Sequence, residues 1–472
     1  MKTKTIIGLE IHVELSTDTK MFCSCKNEFG AIPNTNVCPI CLGHPGTLPQ
    51  MNKRAVEYAV MAGLAFNCKI RNDQKVDRKK YFYPDLVKGY QLTQFEKPYA
   101  YEGYLELSSG KHINIREIHM EEDTGKSNHN DDDTVLMDYN RAGVPLIEIV
   151  TDPDISSPEE AREFVETLAS TLKFLGVSDC IMAEGSMRVD VNVNIKDEES
   201  GLRTEIAEIK NINSIRAIEN ALTFEVERQT SLLEEGQTGV KETRRWDDIE
   251  LKTNHMRNKE VGNDYRFSAD GDIPDIYLSD EFIDNIRENL PELPSKKQAR
   301  YMREYKLSEY DANLLSHDRN LANLFEKTDK IVKDPNTTAN WILTELSRRL
   351  NEAEETADKM ELSVENFAKL INLAKNDKIN NNVAKKLLRE IYTSNEDPEK
   401  LAEERNLLQI SDSSFLEDIV SEVLSENPQS IEDIKNGKDR AFGFLVGQAM
   451  KKTKGKGNPQ EINKLLKEKI GD

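Results

Sequence analysis

A chain of 472 residues is too long for one ordinary core, and its length favours about two to four domains. With 37% hydrophobic and 32% charged residues and no apolar run of 18, the composition argues against a fibre or a disordered tail and points away from secretion and the membrane; a cytoplasmic location is expected. The net charge of -21 excludes a protein that coats nucleic acid through its overall field, so any such contact must be local.

Thr5 to Leu15 alternates, which predicts a strand with Leu9, Ile11, Val13 and Leu15 toward a core and Glu10, His12 and Glu14 on the other side. Two carboxylates and an imidazole in a row suit a hard cation such as Mg2+ near phosphates; a solvated strand face is the alternative. Of six cysteines, Cys23, Cys25, Cys38 and Cys41 crowd into a loop that also carries Gly30 and Pro33. Four thiolates close a tetrahedral zinc site with no open position, so a structural zinc knuckle is expected, with four unligated thiols as the alternative. Cys68 and Cys180 read as structural. Arg78-Lys79-Lys80-Tyr81-Phe82-Tyr83-Pro84-Asp85 joins cations to rings, which suits either a single-stranded nucleotide end or a basic turn before a core strand.

His112 to Met120 reads as another strand, and Glu121, Glu122 and Asp123 follow it. Three consecutive acids repel one another unless a cation, a basic group or full solvation relieves them. Gly125-Lys126-Ser127 is not a phosphate loop, because that motif needs glycine where Met120 stands. After a strand at Val144 to Thr151, a helix is predicted from Ser157-Pro158-Glu159-Glu160, with Ser157 as N-cap and Glu160 completing a capping box. Phe164, Val165, Leu168, Leu172 and Leu175 form its buried stripe, and Gly176 ends it. Met187 to Ile195 alternates again, so Arg188, Asp190, Asn192 and Asn194 share a polar face, either in solvent or meeting the Glu10 and His12 row across a sheet.

Glycine marks a change of architecture near residue 295: seventeen of 23 lie in residues 1 to 300 and none between 301 and 436. The first part is sheet-rich. The second is helical, as in the spacing of Val364, Phe367, Leu370, Ile371 and Ala374, with a further boundary expected near Asp397-Pro398 or shortly after. Residues 438–472 hold nine Lys or Arg against four Asp or Glu, which suggests a local phosphate-binding surface or a merely soluble helical tail. No serine nucleophile elbow, HExxH or strand-following GxGxxG occurs, so a hydrolase or dehydrogenase has little support.

Six ordered motifs resemble one family, the B subunits of the glutamyl/aspartyl-tRNA amidotransferases, through nearly the whole chain. They are Ile7-Gly-Leu-Glu-Ile-His-Val-Glu-Leu15, Tyr81-Phe-Tyr-Pro-Asp85, His119-Met-Glu-Glu-Asp-Thr-Gly-Lys-Ser127, Pro145-Leu-Ile-Glu-Ile149, Gly185-Ser-Met-Arg-Val-Asp190 and Gly443-Phe-Leu-Val-Gly-Gln448. Two stretches depart from the family's usual pattern, at Ala183 and over Asp264–Pro274.

The resemblance implies an α+β fold: a glutamine-synthetase-like catalytic cradle with an antiparallel sheet over residues 1–294, then two all-helical domains; the knuckle at 23–41, read from the cysteine spacing and not from the resemblance, falls within the cradle. These are a helical domain over 295–405 and a tRNA-binding helical tail over 406–472. It implies ATP-dependent transamidation of Glu-tRNA(Gln) or Asp-tRNA(Asn), in which the side-chain carboxylate is phosphorylated and ammonia then displaces the phosphate. Carried over by position, Glu10, His12 and Glu122 are the catalytic and Mg2+ residues, with Glu121, Glu148, Glu184 and Asp190 beside them. Arg188, Lys210 and Lys79 belong near phosphate or the tRNA acceptor end. The implied partners are a glutamine-hydrolysing amidase that supplies the ammonia, a small bridging protein of the same complex, and tRNA(Gln) or tRNA(Asn). A non-catalytic tRNA-binding scaffold with a structural zinc knuckle is the competing reading.

Overall fold

The computed structural model describes residues 2–130, 134–258, 265–409, 413–435, 439–453 and 457–471, so Asp264, Lys438, Lys454 and Lys456 of the stretches named above lie outside the described residues. The chain divides into two compact units, Met1–Leu293 and Pro294–Asp472.

The first unit is built on a sheet whose strands, in chain order, are β1 (Thr3–Glu14), β2 (Lys69–Ile70), β3 (Ala100–Glu106), β4 (His112–Glu122), β5 (Pro145–Thr151), β6 (Met187–Asp197), β7 (Ala207–Lys210), β8 (Glu242–Asp247) and β9 (Lys252–Asn258). Across the sheet they run β9-β8-β7-β6-β1-β5-β4-β3-β2. The expected α+β class holds, and the pairing is antiparallel except between β7 and β8. That pair is parallel because the helix Ile215–Glu234 carries the chain back over the sheet between them.

β1 lies at the centre, with Ile7, Leu9, Ile11 and Val13 fully buried on one face. The helix Pro158–Leu175 covers that face with Phe164, Val165, Leu168, Leu172 and Leu175, all in the same core, and Ile215–Glu234 packs beside it. The Ser157 hydroxyl caps the Glu160 amide at 3.2 Å and Gly176 closes the helix at φ 72°. Glu160 reaches one residue beyond a capping box, accepting from the Ser156 amide at 2.8 Å and pairing with Lys111 at 2.6 Å. The lysine draws it outward.

A one-residue slip of β1 would bring Leu9, Ile11 and Val13 to the charged face, at about 1.5–3 kcal/mol for each side chain removed from the core. The helices therefore hold the register that aligns the polar rows.

Among the described residues the second unit contains two separate hydrophobic cores, one from Tyr301 to Ala402 and one from Leu416 to Leu466. Phe367, Leu370 and Ile371 of the helix Val364–Lys375 are fully buried, as their spacing predicts. Asp397-Pro398 starts a helix, Pro398–Glu404, whose Leu401 and Ala402 pack into the first of these cores.

A charge cluster ties the start of this unit together. Glu326 accepts from Lys297 at 2.8 Å and from the Tyr301 hydroxyl at 2.9 Å, and it also pairs with Arg300. Burial opposes its ionisation, but these donors win and hold it at about 2. A depressed carboxyl stabilises the fold above its unfolded value near 4.5 and loses that contribution as pH falls toward 2. Glu326→Gln is expected to destabilise this unit by about 2 kcal/mol at pH 7, after allowing for partial exposure. The difference from the parent should close between pH 4.5 and 2. Denaturant unfolding followed by Trp341 fluorescence in a Trp246→Phe background measures it.

Candidate functional site

Opposite the helix-covered face, antiparallel pairing aligns polar side chains into rows. His12 of β1 stands opposite Glu148 of β5 and Arg188 of β6, and Glu148 stands opposite His119 of β4. In the next row Glu10 faces Asp190. The carboxylate of Glu148 joins the two imidazoles, 3.3 Å from His12 Nε2 and 3.0 Å from His119 Nε2. Glu121, almost wholly buried, approaches His119 at 3.5 Å and His12 at 3.9 Å. Asn192 donates to Glu10 at 3.0 Å, while Lys210 pairs with Asp190 and lies 3.3 Å from Glu208.

Two oxygen-rich groups result, His12 with Glu121 and Glu148, and Glu10 with Asp190 and Glu208; within each, the potential ligand atoms lie within 4.8 Å of one another. Their charge states differ. Burial disfavours protonated His12, but its hydrogen bond to Glu148 and the charges of Glu148 and Glu121 outweigh it and raise the imidazole. The same contest raises His119 to about 10. Burial opposes ionisation of Glu148, yet hydrogen bonds from His119 and His12 pull it well below the ordinary carboxylate range.

Glu10 moves the other way, pushed up by burial and then by the charges of Glu148, Asp190 and Glu208. Three acids there share one lysine. Glu14 on the same face is raised too, to about 8, by burial and the neighbouring Asp123, but around Glu10 the three acids stand close enough together for a divalent cation to relieve them.

Among the described residues Glu122 belongs to neither of these groups, although the sequence places it beside Glu10 and His12. Successive residues of a strand point to opposite faces, so Glu121 joins the histidines and Glu122 turns away. It pairs with Lys88 and accepts from the Leu92 amide at 3.1 Å. There it lines a cavity of about 210 Å³ together with Lys88, Arg78, His44, Cys23 and Cys41.

The sulfurs of Cys23, Cys25, Cys38 and Cys41 lie within 4.8 Å of one another, a spacing that suits a single four-coordinate ion. Cys41 is pulled down to about 4, first by a hydrogen bond from Cys23 and then, against burial, by the Cys38 amide and the Lys20 charge. Burial instead pushes Cys68 up to about 12 and Cys180 up to about 11, as suits inert core thiols.

Lys79 lies beside the site: its charge acts on Glu121, and its ammonium is 5.2 Å from the Tyr265 ring centroid. Tyr81 reaches the same place through Gln91, which donates to Glu121 at 3.0 Å. Phe82 and Tyr83 beside it are 77% and 60% exposed, so the predicted aromatic turn is an accessible rim and not a core strand. Glu184 stands exposed in the turn before β6, with no ion pair to these rows among the described residues.

Sequence reasoning missed His119 and Glu208. His119 was recoverable, since it precedes Glu121 by two and therefore shares its face. Glu208 lies in a four-residue strand too short to show alternation. It also missed a cavity of about 280 Å³ next to Glu10, where Arg116, Arg203 and Lys241 surround Asn192 and Asn194. Those cations are far apart in the chain, and only the fold collects them.

A family model described as the GatB/GatE catalytic domain matches residues 5–284, and another described as a GatB domain matches residues 323–470. The chain is 59% identical over 473 residues to the B subunit of the aspartyl/glutamyl-tRNA(Asn/Gln) amidotransferase of Finegoldia magna, covering 100% of both chains. It is 48% identical over 474 residues to the protein of that name from Thermoanaerobacter pseudethanolicus, again over 100% of both. With the counterpart from Clostridium tetani the identity is 46% over 477 residues, covering 100% of this chain and 99% of that one. By these matches the chain belongs to the family of aspartyl/glutamyl-tRNA(Asn/Gln) amidotransferase B subunits.

Proposed function

We propose that this chain carries out the ATP-dependent amidation of glutamate misacylated on tRNA(Gln), aspartate misacylated on tRNA(Asn), or both. The observation that carries the reading is the polar face of the sheet, where acids, imidazoles and cations stand in register over an apolar core. Turning a carboxylate into a leaving-group-bearing acyl brings two anions together, and such a face supplies opposite charge to hold them.

Glu10, Asp190 and Glu208 fit a hard divalent ion, since they offer only oxygen and carry excess charge; Glu121 and Glu148 with the His12 nitrogen form a second, mixed set once His12 releases its proton. When bound, ATP with Mg2+ supplies the phosphoryl group and the charge neutralisation. Arg188 and Lys210 orient the acid rows through Asp123 and Asp190. Arg203 and Lys241, which form no carboxylate ion pair among the described residues, suit a polyphosphate in the cavity beside Glu10. Lys79 and the exposed rings of Phe82 and Tyr83 suit the unpaired acceptor end that carries the amino acid. Glu122 acts through Lys88 and not as a metal ligand. Ammonia comes from an amidase partner, with a small third protein in the complex, in the cytoplasm.

The four sulfurs fit zinc by donor type, and a closed four-sulfur site is structural. Residues 1–294 serve as the catalytic cradle, 295–405 as a helical domain and 406–472 as the tRNA-binding tail.

Glu10→Ala and Glu148→Ala should each lower ammonium-driven amidation on the order of 10²-fold at saturating tRNA, as expected for lost electrostatic stabilisation. Full activity in both would remove the assignment. Ending the chain after Gln409 keeps Leu407 and Leu408 on the first helical core and deletes the second. That truncation should raise KM for tRNA while amidation persists; unchanged KM would contradict a tRNA-binding tail. Metal analysis should find one zinc per chain, lost in Cys25→Ser.

A further inference from the structure

The thiol centre has a neighbour whose burial calls for an explanation. Lys20 is 0% exposed, among the largest fully buried side chains of the protein. Its Nζ lies 3.7 Å from Cys41 Sγ and 3.3 Å from the Tyr139 carbonyl oxygen, and among the described residues it forms no ion pair with a carboxylate. A buried ammonium is strongly disfavoured without an opposite charge. Of its two hydrogen-bond partners, the one able to carry such a charge is the Cys41 sulfur, which also accepts from the Cys38 amide at 3.2 Å.

The two charge problems answer each other. Four thiolates around a divalent ion leave two surplus negative charges in a partly buried loop, and one ammonium at the edge of the cluster halves that surplus. We propose that Lys20 is the internal counter-ion of a four-thiolate metal centre, holding the Cys41 sulfur from outside the coordination shell. The inference rests on the reading of the cysteine loop as a metal site.

The placement also ties that centre to the cavity around Glu122. Tyr139, whose carbonyl oxygen takes the second Lys20 hydrogen bond, begins a turn that ends at Gly143, and the Met21 amide donates to the Gly143 carbonyl oxygen at 2.8 Å. Gly143 has φ 87°, and a Cβ there would lie 3.5 Å from Cys41, 3.6 Å from Lys20 and 3.8 Å from Glu122. Centre, counter-ion and cavity wall thus converge on one left-handed glycine, and Lys20 is a positioning residue for the centre and the wall.

The test is metal affinity of the full chain, measured for Zn2+ against a chromophoric chelator and for Co2+ by its thiolate charge-transfer bands. Lys20→Met and Lys20→Gln should weaken binding by about tenfold or more, whereas Lys20→Arg should stay within about threefold of the parent. Unchanged affinity in Lys20→Met would overturn the proposal, and so would an equal loss in all three variants, since charge would then not be the cause. For a variant that does not fold, an amine-acylating reagent on the parent, mapped by mass spectrometry, gives a second measurement. Lys20 should react more slowly with metal bound than after stripping, and equal rates would overturn the assignment. A parent chain that takes up no metal would overturn the metal-site reading and this inference with it.

Discussion

The structure depends on the two-residue period of one central strand. In β1 the pleat sends Leu9, Ile11 and Val13 into a dry core and Glu10, His12 and Glu14 to the opposite face. Neighbouring strands copy that division, so the helices that bury one face also fix the alignment of charges on the other. A face this acidic is tolerable only because imidazole, guanidinium and ammonium groups are interleaved with the carboxylates. Where that interleaving runs short, around Glu10, the carboxyl is pushed toward its neutral form.

Much of this plan is legible in the chain because alternation is a local signal. The strands around Glu10, Glu148 and Arg188, the helix from Ser157 to Gly176 and the cysteine pairs all follow from neighbours in sequence. Family motifs add the expectation that the acids of β4 and β5 join the same site. The chain does not say which member of an acid run belongs to which face. Glu121 and Glu122 are adjacent and chemically alike, yet the pleat sends one to the histidines and the other to Lys88.

Long-range assembly accounts for the rest. Arg116, Arg203 and Lys241 are brought to one cavity only by the fold. Lys20 gives no sequence signal, because a lone lysine near a turn reads as a solvated residue until its burial against Cys41 is seen. The cysteine loop, in turn, is no remote brace: Cys23 and Cys41 line the same cavity as Glu122 and Lys88.

On the proposed function, this polar face performs the amidation and does not merely bind tRNA. The most direct measurement is conversion of Glu-tRNA(Gln) and Asp-tRNA(Asn) by the purified chain with ATP, Mg2+ and ammonium chloride, beside a reaction containing the amidase and the small third protein with glutamine. The account predicts amidated product with ammonium from this chain alone. Tight tRNA binding with no product under either condition, with the partner proteins shown to be active, would contradict it and leave a scaffold.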